Sequence, residues 1–103
     1  MEKLNNYEEF TEVTNKKTVF IVFYSNWCPI CKKLKFTFYE VLENYPNISV
    51  YYVDLYDNID ITKKIKITST PTTILYSDGK MIDKYIGNLD YSDIEEIILS
   101  LNQ

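Results

Sequence analysis

The spacing of apolar positions changes along the chain, and each change marks a new element. Tyr7, Phe10 and Val13 recur at helical spacing, and Asn6 with Glu9 three positions on forms an N-cap with a carboxylate able to reach back. This predicts a first helix over about 7–15, closed by Lys16-Lys17. From Thr18 to Tyr24 the residues are β-branched or aromatic without polar alternation, the pattern of a central strand covered on both faces. After Cys31, the positions Leu34, Phe38, Val41, Leu42 and Tyr45 return to three- and four-residue intervals, which predicts a helix ending before Pro46. Ile48 to Asp54 reads as a second strand, so strand, helix and strand imply a right-handed parallel crossover.

A short helix is expected near Asp60 to Lys66, where Ile61 and Ile65 stand four apart. Thr72 to Tyr76 and Lys80 to Ile86 then flank Ser77-Asp78-Gly79, whose Asp-Gly step signals an antiparallel hairpin. Asp90 or Ser92 can cap a last helix that carries Ile94, Ile97, Ile98 and Leu101 on one stripe. The sum is an α/β chain. No repeat, linker or low-complexity segment interrupts it.

Composition narrows this picture. A length of 103 residues suits one domain over 1–103, and 46% hydrophobic residues with only two glycines and three prolines favour a packed core over a disordered or fibrous chain. A formal net charge of -4 opposes a phosphate-binding surface, so no nucleic-acid partner is expected. The longest apolar run, Val19 to Tyr24, is far short of the about 20 residues that cross a bilayer, so no membrane partner is expected either. Met1 to Glu9 lacks a basic region followed by an apolar run, and a cytoplasmic location is the expectation.

The chemistry concentrates in Trp27-Cys28-Pro29-Ile30-Cys31, between the central strand and the amphipathic helix. These are the chain's two cysteines, and it has no histidine. A structural disulfide stabilises mainly by closing a long loop, and this one would close almost none. Structural zinc takes four ligands, so two thiolates would need carboxylates or a second chain. Haem attachment requires a histidine after the second cysteine, where Lys32 stands. Thiol-disulfide exchange needs what is present: one thiolate to attack a disulfide and a nearby second thiol to resolve the mixed disulfide. At a helix N-terminus, unpaired N–H groups and the helix dipole favour the Cys28 anion and should lower its pKa below about 8.5. Cys31, one turn further in, is expected to be more buried and to resolve. Lys32, Lys33 and Lys35 add positive potential, although an exposed lysine run is more often a solvated face.

With these residues in place, the chain resembles the thioredoxin family from about Leu4 to Leu101. The resemblance rests on Trp27-Cys28-x-x-Cys31, Asp54 at the end of the next strand, Thr70-Pro71-Thr72, and Gly79 with Gly87 around the last hairpin. It implies a thioredoxin-like fold, a central mixed sheet of four to five strands flanked by helices on both faces, from which this chain departs in an N-terminal strand shortened to at most Glu2 to Leu4. It also implies a cis proline at Pro71 beside the cysteines and a substrate groove of Trp27, Pro29, Ile30, Thr70, Pro71 and Gly87. For Trp27 the competing reading is core packing. The activity implied is reduction of protein disulfides by a monomer, without metal or cofactor of its own, recharged by an NADPH-dependent thioredoxin reductase.

Some residues depart from the family pattern. Pro29 in the first position between the cysteines is more like glutaredoxins, which keeps a glutathione-linked reductase open beside a non-catalytic binding adaptor on the same scaffold. A buried acid usual six residues before the first cysteine is Val22, a nearby lysine is replaced by Tyr52, and a kinking proline in the helix is replaced by Phe36.

Overall fold

A computed structural model of the chain describes residues 2–16 and 18–101. The elements run β1 (Glu2–Lys3), α1 (Tyr7–Thr14), β2 (Thr18–Tyr24), α2 (Pro29–Asn44), β3 (Ser49–Asp54), α3 (Ile59–Ile65), β4 (Thr72–Ser77), β5 (Lys80–Ile86) and α4 (Tyr91–Ser100). The strands form one mixed sheet in the order β1-β3-β2-β4-β5. β1 and β2 pair with β3 in parallel, whereas β4 runs antiparallel to both β2 and β5. The unalternating β2 is central and buried along almost its whole length.

Alternate residues of β2 serve two cores, which is why its sequence shows no polar face. Val19, Ile21 and Phe23 pack with Phe10, Val13, Ile61 and Ile74 on the side of α1 and α3. Phe20 and Val22 pack with Leu34, Phe38, Val41, Ile94 and Ile98 on the side of α2 and α4. Truncating a fully buried side chain such as Phe20 or Phe38 to alanine would cost about 3–5 kcal/mol. Among the described residues, no helix is long and apolar enough to cross a membrane.

The expected element boundaries hold to within a residue or two. α1 stops at Thr14, and Lys17 of the expected closing pair lies outside the described residues. Asn6 accepts from the Glu9 N–H at 2.8 Å, but the Glu9 carboxylate accepts from Asn5, one residue earlier than a capping box requires. Of the two candidate caps for α4, Asp90 is the one used, in a reciprocal box with Asp93. Asp78 and Gly79 both take positive φ, 52° and 83°, as a tight hairpin with an Asp-Gly turn demands. Their N–H groups donate to Lys16 and Thr14 carbonyls and tie the hairpin to the end of α1.

Candidate active site

β2 ends at Tyr24, and a short loop delivers Cys28 to the start of α2. Cys28 is the N-cap, with an extended backbone, and Pro29 fills the first turn, where a missing N–H costs nothing. The Cys31 N–H points at the Cys28 Sγ, 3.2 Å away. The Cys28 sulfur therefore sits where a capping side chain sits, facing the positive end of a sixteen-residue helix whose first turn holds no acid. Cys28 is half-buried, whereas Cys31 is only 5% exposed. The two are joined as a disulfide, with Cα atoms 5.2 Å apart.

The sheet register brings the remaining expected residues to the same end. Phe23 near the end of β2 pairs with Thr72 at the start of β4, and Thr72 pairs with Ile86 at the end of β5. Thr70 and Pro71 immediately precede β4, and Gly87 immediately follows β5. The Gly87 N–H donates to the Pro71 carbonyl at 2.9 Å, and the Ser25 and Thr70 hydroxyls meet at 3.4 Å. The Thr70–Pro71 bond is cis, and Gly87 has φ 94°, which suits glycine. Pro71 is buried, while Thr70 and Gly87 are half-buried. Trp27 is 71% exposed, so it is not a core residue, and Pro29 and Ile30 are exposed beside it.

Sequence reasoning missed Tyr56. Its ring lies 4.9 Å from that of Trp27, and both are largely exposed. The signal was available in the strand pairing: Tyr24 and Asp54 are register partners, so the loops that follow β2 and β3 emerge side by side. Buried Asp54 shapes the second loop by accepting from the Tyr56 and Asp57 N–H groups at 2.9 and 3.1 Å. Ile59 and Ile86 are further exposed apolar residues, each a few positions from a residue at this end.

Residues 2–100 match the family model described as thioredoxin. This chain belongs to the thioredoxin family. It is 36% identical over 100 residues to a thioredoxin of Mycoplasmoides gallisepticum, covering 95% of this chain and 99% of that one. It is 31% identical over 86 residues to the mitochondrial thioredoxin-3 of Saccharomyces cerevisiae, covering 82% and 68%. The crystal structure of oxidised mitochondrial thioredoxin 3 from Saccharomyces cerevisiae superposes with a TM-score of 0.87 at 30% identity, covering 97% of this chain and 94% of that one. As a thioredoxin with a bonded Cys-x-x-Cys pair, the chain is a thiol-disulfide oxidoreductase of the protein-disulfide reductase kind. Thioredoxins act on disulfide substrates and are reduced in turn by thioredoxin reductase.

Proposed function

We propose that Cys28 is the attacking thiol and Cys31 the resolving thiol, and that a protein substrate lies across Trp27, Pro29, Ile30, Thr70, Pro71 and Gly87. The observation that carries this reading is the unequal exposure of the two sulfurs' residues at one helix terminus, Cys28 half-buried at the N-cap and Cys31 buried behind it. The reduced protein attacks with the Cys28 thiolate, forming a mixed disulfide and expelling one substrate thiolate. The Cys31 thiolate then attacks the Cys28 sulfur, the substrate's second sulfur leaves with the electron pair, and the Cys28–Cys31 bond is restored. Two electrons pass from the dithiol to the substrate disulfide.

The groove has the character such a step needs. Exposed apolar Trp27 and Ile30 offer burial to a substrate side chain, and the backbone around Thr70 offers pairing to an extended segment. The working cycle is a single-domain monomer in the cytoplasm, recharged by an NADPH-dependent thioredoxin reductase. The test is disulfide reduction measured with thioredoxin reductase and NADPH, run beside the same assay with glutathione and its reductase. Turnover with the first system supports the proposal. Turnover with glutathione alone would make the chain a glutathione-linked enzyme, and turnover with neither would make it a binding adaptor.

A further inference from the structure

The strand order gives the reactive loop two different flanks. The end of β2 has the end of β3 on one side, because those strands are parallel, and the start of β4 on the other, because that strand is antiparallel. Thr70, Pro71 and Gly87 therefore serve one flank of the loop that carries Cys28. The segment after β3, with Tyr56, serves the other.

That second segment is held firmly by its backbone. The Leu55 N–H donates to the Tyr24 carbonyl at 2.9 Å and ties it to the end of β2. The buried Asp54 carboxylate accepts from the Tyr56 and Asp57 N–H groups, the Asn58 N–H donates to the Asp54 carbonyl at 3.2 Å, and the Thr62 hydroxyl donates to the Leu55 carbonyl at 3.0 Å. Yet the Tyr56 side chain is 57% exposed. Its ring meets that of Trp27 at a tilt of 40°, with centroids 4.9 Å apart, and Ile59 at the start of α3 is a further exposed apolar residue. Neither of the two cores uses Trp27, Tyr56 or Ile59. Two large rings are thus fixed in water, next to the cysteine at the helix N-terminus, without a packing role.

We propose that Trp27 and Tyr56 form a second substrate subsite, which accepts an aromatic side chain adjacent to the attacked cysteine of the substrate, and that Tyr56 sets this preference. The subsite is continuous with the groove through Trp27, so a substrate held at Thr70 on one flank of Cys28 meets the two rings on the other. Ring pairs gain from edge and face contacts beyond the area they bury, which favours an aromatic occupant over an aliphatic one. A platform that is ordered before binding loses little conformational freedom when it is covered. Its size also points to a side chain: an aromatic residue buries about 150–250 Å² when fully covered, and two part-exposed rings fall well short of the about 800 Å² per partner of a stable protein interface. The proposal rests on substrate reaching Cys28 across Trp27.

The test uses two homodimeric peptide disulfides, each with a single cysteine, flanked on both sides by phenylalanine in one peptide and by glycine in the other. Single-turnover reduction by the reduced protein is measured for each and divided by the rate with a small dithiol, which removes the peptides' own difference in reactivity. The parent should prefer the phenylalanine peptide roughly threefold to tenfold. Tyr56→Ala should lose most of that preference while reducing the glycine peptide at the parent rate, and Tyr56→Phe should keep it. Trp27 is the chain's single tryptophan, so its fluorescence gives a second reading. With each peptide joined to Cys28 of the Cys31→Ser protein, the phenylalanine adduct should shield Trp27 from a soluble quencher more than the glycine adduct does, and Tyr56→Ala should narrow that difference. A preference of the same size in the parent and Tyr56→Ala would overturn the proposal, and so would equal shielding by the two adducts. Equal slowing with both peptides in Tyr56→Ala would overturn it too, showing that the ring only supports the reactive loop. A dimer of the parent that Tyr56→Ala abolishes, with no peptide preference, would give the rings to a second copy of the chain instead. Adducts formed on Cys31 of Cys28→Ser but not on Cys28 of Cys31→Ser would reverse the roles of the two thiols and remove the subsite with them.

Discussion

Helix α2 begins and ends under opposite requirements. At its N-terminus the cap is a cysteine sulfur, the first turn lacks an acid to answer the dipole, and Trp27 and Ile30 stand exposed. At its C-terminus, the Asn44 amide donates to the Tyr91 hydroxyl at 2.7 Å and the Tyr45 hydroxyl donates to Glu95 at 2.6 Å, so the helix is bound to α4. The first end leaves the positive pole of the helix for an anion that forms during the reaction. The second end spends its polar groups on tertiary contacts. A single helix thus separates chemistry from stability along its length, and substitutions at the two ends should separate the same way.

The largest contrast is expected at Cys28. Cys28→Ser should abolish disulfide reduction, because a serine hydroxyl is not ionised near neutral pH and cannot replace the attacking thiolate. Yet serine is a strong N-cap, so the stability of the reduced protein should stay equal or rise by up to about 1 kcal/mol. Cys31→Ser should leave attack intact and accumulate mixed disulfides on Cys28. Trapped substrate found on Cys31 of the first variant would reverse the roles given to the two thiols.

Val22→Asp tests the packing beneath the reactive end. An unpaired carboxylate there should cost roughly 3–5 kcal/mol at neutral pH, as for an uncompensated buried charge. Burial raises the folded-state pKa above the unfolded value near 3.9, so the unfolded chain releases the proton first. The variant should therefore be most stable relative to the parent below about pH 4 and lose ground as pH rises through the raised folded pKa. Denaturant midpoints measured against pH check this. A variant as stable as the parent across the whole range would mean that water reaches position 22.

Much of this contrast was legible in the chain. The reactive end announced itself through Cys28 and Cys31, because local sequence sets a helix start, whereas Thr70-Pro71 was assigned to it only through the resemblance to the thioredoxin family. The two cores of β2 were legible for the same reason, since a strand buried on both faces has no polar alternation to show. Contacts between remote segments were not. Tyr56 lies 29 positions from Trp27, and nothing in its own neighbourhood marks it as part of the site until Tyr24 and Asp54 are known to be register partners. The bonds from Asn44 and Tyr45 to α4 span 47 and 50 positions and depend on how two helices cross, which periodicity does not specify. The Asp90 cap was one of two readings because Asp90 and Ser92 have similar capping preference, and the reciprocal Asp93 bond decides between them.

Tyr56→Ala is a smaller perturbation of the reactive end. It removes an exposed ring that packs at a tilt against Trp27, and such aromatic pairs contribute about 0.5–1.5 kcal/mol. Substrate KM should rise roughly threefold to tenfold, with kcat and thermal stability little changed. A fall in kcat at constant KM would show that the ring orders Cys28 itself and is not a surface for substrate.

The smallest effect is expected at the other end of the helix, where Tyr45→Phe deletes only the bond to Glu95. That bond is the main reason the Tyr45 phenol is pushed up from 10.0 to about 12. Because the folded pKa lies above the unfolded one, the stabilisation is present in full below pH 10 and is lost as pH rises towards 12. The stability difference between parent and Tyr45→Phe should thus be constant near neutrality and shrink across that alkaline window. Unfolding of the oxidised proteins gives the cleanest measurement, since bonded cysteines do not titrate there. Tyr76, also raised to about 12 by burial, is common to both chains and cancels in the difference. Disulfide reduction at neutral pH should be the same in both proteins, because position 45 lies at the opposite end of α2 from Cys28. A stability difference that stays flat through pH 12 would show that the hydroxyl is not held by Glu95 in solution. A loss of activity would show that the two ends of the helix are coupled after all.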